Sequence, residues 1–441
     1  MRGPRFGTDG VRGRAHVDIT PAYVRALGRA AAAELGDSFY IGRDTRVSGP
    51  EFQAALAAGL DDVGARSVLL GVAPTPAVAK LCALDDRPGA VISASHNPWS
   101  DNGIKLFAAG GRKLDDRVQA EIQAHLDHDE QPTSGGGRAA EDSDADAYVR
   151  RYMDAVVGSV RGRRFDGHEV VIDCANGASV RTAPTVFQEL GVALDVMHAV
   201  PDGENINDRC GSNHPESLQA RVIESGAELG FAFDGDADRV VAVDHTGRLI
   251  DGDQIIAICA IDRQARSLLP DDTVVVTVMT NLGFRLGMAE RSITVVDTRV
   301  GDRYVLEALD RGGWSLGGEQ SGHVIFGDLA TTGDGLLTAV QLLDVVHRRG
   351  VPLAQLADEA MHRLPQVLEN VRVDRVPDDL AFLDAAVASV NAELDGRGRV
   401  LVRPSGTEPL VRVMVEAEEA DHAQALADQL VEVVQANAGR R

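Results

Sequence analysis

The chain has 441 residues, 44% hydrophobic and 25% charged, the make-up of a folded globular protein of several domains rather than a fibrous or disordered one. Lysine plus arginine number 44 against 67 acidic residues, a formal charge of −23 that repels nucleic acid and anionic lipid, so an anionic substrate has to be drawn in by local arginines. No apolar run approaches the roughly 18 residues of a membrane span, and MRGPRFGTDG has no apolar signal region behind its charges, so the expected location is the cytoplasm.

Residues 21–35 follow a Thr-Pro start signal and carry apolar and small residues at helical spacing; FYIGRDTRVSG then reads as a strand running into a loop. The unit repeats: residues 52–63 read as helix, ARSVLLGVAPTP as strand and turn, and GAVISASHNP as strand and loop. Such alternation predicts a mostly parallel sheet covered on both faces. The segment HLDHDEQPTSGGGRAAEDSDADA, residues 125–147, reads as a surface loop and places a boundary near residue 150. EVVIDCANGAS (169–179) opens a second strand–loop–helix series and DTVVVTVMTNLGF (272–284) a third. After MHRLPQVLENVRV the texture changes: RVLVRPSGTEPLVRVMVEAE reads as two alternating strands around a polar loop, followed by an amphipathic helix from about 422 to 436. The expected class is α/β, three α/β units followed by a smaller α+β domain.

Four cysteines, Cys82, Cys174, Cys210 and Cys259, have no metal-ligand spacing. Three sit in apolar surroundings and are expected to be small buried side chains, whereas Cys210, in the loop NDRCGSN, reads as the exposed one and as a minor catalytic candidate.

Four loops carry chemistry-bearing residues. ISASHNPWSDNGIKLF, from Ile92 to Phe107, holds Ser93, Ser95, His96 and Lys105 where a strand ends, the usual place for a site in an open α/β sheet. The chain contains only three lysines, Lys80, Lys105 and Lys113, so a lysine inside DNGIKLF points to an amine that can give up a proton, which arginine cannot. FDGDADRV puts Asp234, Asp236 and Asp238 at alternate positions between two apolar strands. It is not an EF-hand, because Arg239 and His245 stand where that loop requires Gly and Glu. It reads as an oxygen-ligand cation site, magnesium before calcium, or as a solvated acidic turn; the mutual repulsion of three carboxylates weighs for the cation.

RPSGTEPLVR offers Arg403, Ser405, Gly406, Thr407 and Arg412 to a phosphate, or forms a plain hairpin turn. GGEQSGHVIF presents Glu319, Ser321 and His323 on a glycine-flanked loop suited to sugar hydroxyls, or forms a glycine-rich turn with a capped helix end. FGTDGVRG adds Arg12 on a glycine-rich turn and GRDTR adds Arg43 and Arg46, either of which reads equally as a surface loop. No Walker A loop and no GxSxG elbow is present.

Together these loops resemble the α-D-phosphohexomutase family across essentially the whole chain, in order and spacing: ISASHNP its phosphoserine loop, FDGDADR its magnesium loop, GEQSGH its sugar-binding loop and RPSGTEP its phosphate-binding loop. Gln320, NINDRCGSNHPESLQ and TRVGDRYVLEAL are similar to the family's glucosamine branch; Asn213 departs from it where Thr is commoner. The resemblance implies three similar mixed-sheet α/β domains plus a smaller C-terminal α+β domain around a central cleft, with boundaries at 1–155, 156–252, 253–365 and 366–441. It implies one Mg2+ per chain, held by Asp234, Asp236, Asp238 and phosphorylated Ser95. Arg403, Ser405, Gly406, Thr407 and Arg412 would take the substrate phosphate, and Glu319 and Ser321 the sugar hydroxyls. Lys105 and His323 would carry protons, Arg12 and Arg239 stabilise the transferring group, and His96 shape the loop.

The implied reaction interconverts glucosamine 6-phosphate and glucosamine 1-phosphate through a sugar 1,6-bisphosphate, feeding UDP-N-acetylglucosamine and cell-wall precursor synthesis. A small-molecule sugar phosphate is the expected partner, without nucleic acid or membrane, and a homodimer is the assembly to test for. The competing readings are a phosphomannomutase or phosphoglucomutase of the same family, a metal-dependent serine phosphatase, and a sugar-phosphate sensor.

Overall fold

The computed structural model describes residues 3–7, 10–128, 144–373, 380–404 and 409–437. It divides into two compact units, Met1–Met279 with Ile293–Asp358, and Thr280–Ser292 with Glu359–Arg441.

The first unit contains three sheets. One is built from β1 (Val11–Arg14), β2 (Ser38–Arg43), β3 (Arg66–Val72), β4 (Gly89–Ile92) and β5 (Asp101–Phe107), in the order β1-β5-β4-β2-β3. The next holds β6 (Glu169–Asp173), β7 (Ala193–Met197), β8 (Leu229–Phe233), β9 (Val240–Asp244) and β10 (Leu249–Ile250), in the order β10-β9-β8-β6-β7. The third holds β11 (Thr273–Thr277), β12 (Thr294–Thr298), β13 (Leu316–Gly318) and β14 (Val324–Phe326), in the order β12-β11-β13-β14.

The three share one pattern. β2 is parallel to β3 and β4, β6 to β7 and β8, and β11 to β12 and β13. The last strand of each parallel set then turns back antiparallel, β4 to β5, β8 to β9 and β13 to β14. The sheets are therefore mixed, where alternation alone predicted mostly parallel ones. The segments after β4, β8 and β13 are too short to carry a crossover, so the chain has to return antiparallel. Those three return loops are residues 93–100, 234–239 and 319–323, the ones singled out in the sequence.

Buried apolar runs make the central strands: β4 (GAVI), β8 (LGFAF) and β11 (TVVVT) are buried throughout, as sheets covered on both faces require. α1 (Pro21–Leu35) starts as predicted, with the Thr20 side chain accepting from the Tyr23 N–H and proline at its first turn. It packs on α2 (Gly49–Asp61) so closely that a Cβ on Gly59 would lie 2.0 Å from the Arg25 carbonyl oxygen. Val24, Leu27, Phe39, Phe52, Leu56 and Ile92 fill the space between these helices and the first sheet. α3 (Thr75–Asp85), α4 (Asp116–Asp127) and α5 (Ala145–Gly158) complete this region, and most of the predicted loop between the last two, residues 129–143, lies outside the described residues.

The second unit has one antiparallel sheet, β15 (Gln366–Arg372), β16 (Arg399–Pro404) and β17 (Leu410–Glu416), in the order β15-β17-β16. The two strands and the helix expected from sequence are β16, β17 and Ala420–Asn437. β15 is additional; Leu368, Asn370 and Arg372 are exposed and only Val371 is fully buried, so it carries a weak apolar signal. Val371, Val390, Val413 and Leu430 form the core of this unit. No described helix is long and apolar enough to cross a membrane.

Candidate active site

Ser95 stands on the return loop after β4 with φ of 53°, a left-handed conformation unusual for a residue with a Cβ. The loop is over-determined around it. Arg46, fully buried, is paired with Asp44 at 2.8 Å and donates to the carbonyls of Ser95 (2.9 Å), Asn97 (2.8 Å), Asp101 (3.0 Å) and Pro98. Asn207 donates to the Ser95 carbonyl as well, at 2.9 Å. Ser93 Oγ donates to Asp44 at 2.6 Å and accepts from the Ser95 N–H at 2.9 Å. What this clamp leaves to the Ser95 hydroxyl is one short bond, donated to Asp234 Oδ2 at 2.6 Å.

Asp234, Asp236 and Asp238 are buried and offer one ligand atom each within 4.8 Å of the others. Backbone crowding brings their loop to the serine: a Cβ on Gly235 would lie 2.5 Å from the Ser95 carbonyl oxygen, so only glycine fits there. Burial, with Asp236 and Asp238 beside it, raises Asp234 well above the usual carboxylate range. Asp238 goes the other way: burial opposes its charge, but Lys105, His323 and Arg239 hold it well below that range. Lys105, itself buried, donates to Asp236 at 2.7 Å and to Asp238 at 2.9 Å, and Thr75 Oγ1 donates to Asp236 at 2.5 Å. Among the described residues, buried Asp236 Oδ1 has no hydrogen-bond partner, and buried Asp238 Oδ1 has only the longer contacts to His323 (3.6 Å) and Arg239 (3.8 Å). Under-satisfied carboxylate oxygens beside a serine, with no sulfur or imidazole nitrogen among the ligand atoms, suit a hard divalent cation.

Alongside is a cavity of about 420 Å³, lined by Arg5, Arg12, Asp238, Arg239, Glu319 and His323 together with Gly7, Gly10 and residues 300–302. The sequence scattered these residues; the return loops 234–239 and 319–323, the segment 300–302 and the N-terminal residues with β1 gather them. Arg12 lies on β1 opposite Gly103, not on a glycine-rich turn as expected. His96 is 3.4 Å from Ser95 Oγ and 3.2 Å from Arg239. Burial, then Arg239 and Arg12, push its ring down to about 4, so at neutral pH it is an uncharged acceptor.

His323 is buried, 3.6 Å from Asp238 and 3.3 Å from Asp302. Burial opposes its charge, but these two carboxylates leave its ring titrating above the ordinary value. Glu319 accepts from the Gly301 N–H at 3.0 Å. Ser321 is exposed and is not among the residues lining the cavity.

In the second unit, Arg403 and Arg412 stand directly opposite each other on β16 and β17. Burial and then the facing guanidinium lower Arg403, a like-charge pairing that an anion would relieve. Ser405, Gly406 and Thr407 lie outside the described residues.

Two further sequence expectations are corrected. Arg46, read as equally at home on a surface loop, is fully buried and grips the serine loop. Cys210 is buried rather than exposed, its thiol pushed up to about 12 by burial and by Asp173 and Asp208, so it is no nucleophile. Three residues were missed altogether: Thr75 on Asp236, Asn207 on the Ser95 carbonyl, and Asp302 between His323 and Lys113. Asn207 lies in NINDRC, a signal already visible, but its role is a tertiary contact.

Four family models for phosphoglucomutase/phosphomannomutase match in order: α/β/α domain I over residues 3–133, domain II over 150–247, domain III over 251–364 and the C-terminal domain over 368–433. The phosphoglucosamine mutase of Moorella thermoacetica is 52% identical over 432 residues, 95% of this chain and 96% of its own. A phosphoglucomutase/phosphomannomutase family protein from Burkholderia thailandensis, solved by crystallography, aligns over 98% of each chain with a TM-score of 0.81 and 26% identity. The N-acetylphosphoglucosamine mutase of Aspergillus fumigatus, solved in complex with GlcNAc-6P and magnesium, shares the fold over 99% of this chain and 96% of its own, with a TM-score of 0.72 at 18% identity. The four domains stand in the family's order over nearly the whole chain, and the chain belongs to the phosphoglucomutase/phosphomannomutase family, as an enzyme of the isomerase class.

Proposed function

We propose that this chain interconverts glucosamine 6-phosphate and glucosamine 1-phosphate, with Ser95 as the phosphoryl carrier. The observation that carries the reading is the Ser95 hydroxyl 2.6 Å from Asp234, on a clamped loop beside the buried aspartates and the arginine-bearing cavity. A serine hydrolase would need a base for that hydroxyl. His96 at 3.4 Å is held neutral but faces Arg239, and no carboxylate orients its ring among the described contacts.

In this reading the phosphoryl group passes from Ser95 Oγ to O1 of the bound 6-phosphate, giving the 1,6-bisphosphate. After the sugar turns end over end, the 6-phosphoryl group returns to Ser95, and glucosamine 1-phosphate leaves. Arg12 and Arg239 line the cavity and would bear on the charge of the group in transfer. Lys105, within 3 Å of two carboxylates, and His323, between Asp238 and Asp302, would take and return the sugar hydroxyl protons. Glu319 would orient the hydroxyls, with Ser321 beside it. Arg403, Ser405, Gly406, Thr407 and Arg412 would anchor the phosphate that is not in transfer.

Asp234, Asp236, Asp238 and the phosphorylated Ser95 oxygen would hold one Mg2+. That ion supplies electrostatic stabilisation of the phosphoryl oxygens when bound. A sugar 1,6-bisphosphate would sustain the phosphorylated enzyme. The same proposal places domain boundaries near residues 155, 252 and 365, locates the enzyme in the cytoplasm, and includes a homodimer.

The test is isomerisation of glucosamine 6-phosphate with Mg2+ and a trace of 1,6-bisphosphate, compared with glucose and mannose 6-phosphates. The expected result is turnover that chelation abolishes and that favours the amino sugar. A clear preference for mannose phosphate would overturn the substrate assignment, and stoichiometric release of free phosphate would mark a phosphatase.

A further inference from the structure

A second cluster of potential ligands lies outside the three-aspartate loop. β6 and β7 are parallel, with Asp173 opposite Met197, so Asp173 at the end of one strand and His198 just past the end of the other are neighbours on the same sheet edge. The loop carrying Cys210 is drawn to them because the Gly211 N–H donates to Asp173 Oδ2 at 2.9 Å. Asp173, His198 and Cys210 offer an oxygen, a nitrogen and a sulfur all within 4.8 Å of one another. His198 Nδ1 is 3.0 Å from Asp173 Oδ2, so imidazole and carboxylate already face one another in the cluster. Its side chain is 30% exposed, which leaves a route in from solvent.

We propose that Asp173, His198 and Cys210 bind a thiophilic divalent cation of the zinc class, independently of the magnesium-type site on Asp234, Asp236 and Asp238. The donor set decides the class. Zinc takes sulfur, nitrogen and carboxylate oxygen at about 2.0–2.3 Å and accepts three protein ligands with solvent completing the shell. Magnesium avoids sulfur, so the two clusters sort the two metals by chemistry. A bound cation stabilises the Cys210 thiolate, and binding releases the thiol proton.

The position has a structural consequence. Asn207 is three residues before Cys210; its N–H donates to the Ala175 carbonyl at 3.0 Å, and its side chain donates to the Ser95 carbonyl at 2.9 Å. A cation on Asp173, His198 and Cys210 would therefore brace the loop that holds the backbone of Ser95.

The test titrates Co2+ into chelator-stripped, full-length protein with Mg2+ in excess, so that sites of oxygen ligands are occupied. The expected result is one equivalent of Co2+ with a near-ultraviolet thiolate-to-cobalt band that Zn2+ displaces. Cys210→Ser removes the band, and His198→Asn weakens Co2+ binding by at least about 100-fold, while Asp236→Asn retains both. Absence of a thiolate band in the native protein, or its survival in Cys210→Ser, overturns the site. Should Cys210→Ser misfold by circular dichroism, unchanged Co2+ affinity in folded His198→Asn overturns it instead.

Discussion

Ser93 and Ser95 are two residues apart and both fully buried, but the structure gives them different work. Ser95 points its hydroxyl at Asp234, whereas Ser93 uses its own to join Asp44 to the Ser95 backbone. Ser95→Ala is expected to abolish isomerisation. Ser93→Ala removes one buried link from a loop that Arg46 and Asn207 still hold, a loss of about 1–2 kcal/mol in positioning and roughly tenfold in rate. Phosphopeptide mass spectrometry checks the assignment: phosphate on Ser95 supports it, and phosphate on Ser93 reverses the two roles. The sequence favoured Ser95 only through the family resemblance. Which serine faces the aspartates depends on a left-handed residue and on Arg46, and no local pattern distinguishes a buried arginine from a surface one.

At the scale of elements, the return loops work because the helices and strands beside them are capped and packed. The helix Gly335–Arg349 begins at Asp334, whose side chain accepts from the Leu337 N–H at 2.9 Å and from the Tyr152 hydroxyl at 2.9 Å. Burial raises the Asp334 carboxyl to about 6. A carboxyl raised in the folded state contributes stability that is complete below its unfolded value, near 4, and is lost as pH rises through about 6. The contribution is on the order of 3 kcal/mol. Asp334→Asn, which keeps an acceptor but cannot ionise, should remove this component, so the Tm difference between native and variant changes between pH 4 and 6 and is flat above pH 7. An unchanged difference across that window would count against the capping carboxyl as its source. This element was hidden in the sequence: GDG looks like any turn, and only its burial against Tyr152 makes the aspartate unusual.

The whole chain divides in a way its sequence order conceals. The segment 280–292 belongs to the second unit, where the Leu282 N–H donates to Glu416 at 2.8 Å and Arg399 donates to the Thr280 carbonyl at 2.6 Å. Deleting residues 366–441 takes both partners away. Hydrogen exchange should show the Leu282 amide at least about tenfold faster in the truncated chain, with the amides of β4 and β5 unchanged. Equal exchange at Leu282 in the two forms would mean that the segment is held from elsewhere.

Much of the fold was legible because hydrophobic runs and turn residues are local properties. Thr20-Pro21 predicts the start of α1, and LGFAF and VVAVD predict the strands around the aspartate triplet. β15 escaped because a half-covered strand buries too few side chains to show a period. The sequence by itself determined the class of fold, the family, and the residue types that the proposed phosphoryl transfer and metal site call for, since these depend on spacing along the chain. Only the tertiary structure decided that the serine loop, the aspartate loop and residues 319–323 are one kind of return loop repeated on three sheets, that Arg46 and Asn207 clamp Ser95, and that Cys210 lies buried beside Asp173 and His198. Those facts depend on contacts between residues far apart in the chain, which strand direction and burial set and no local window contains.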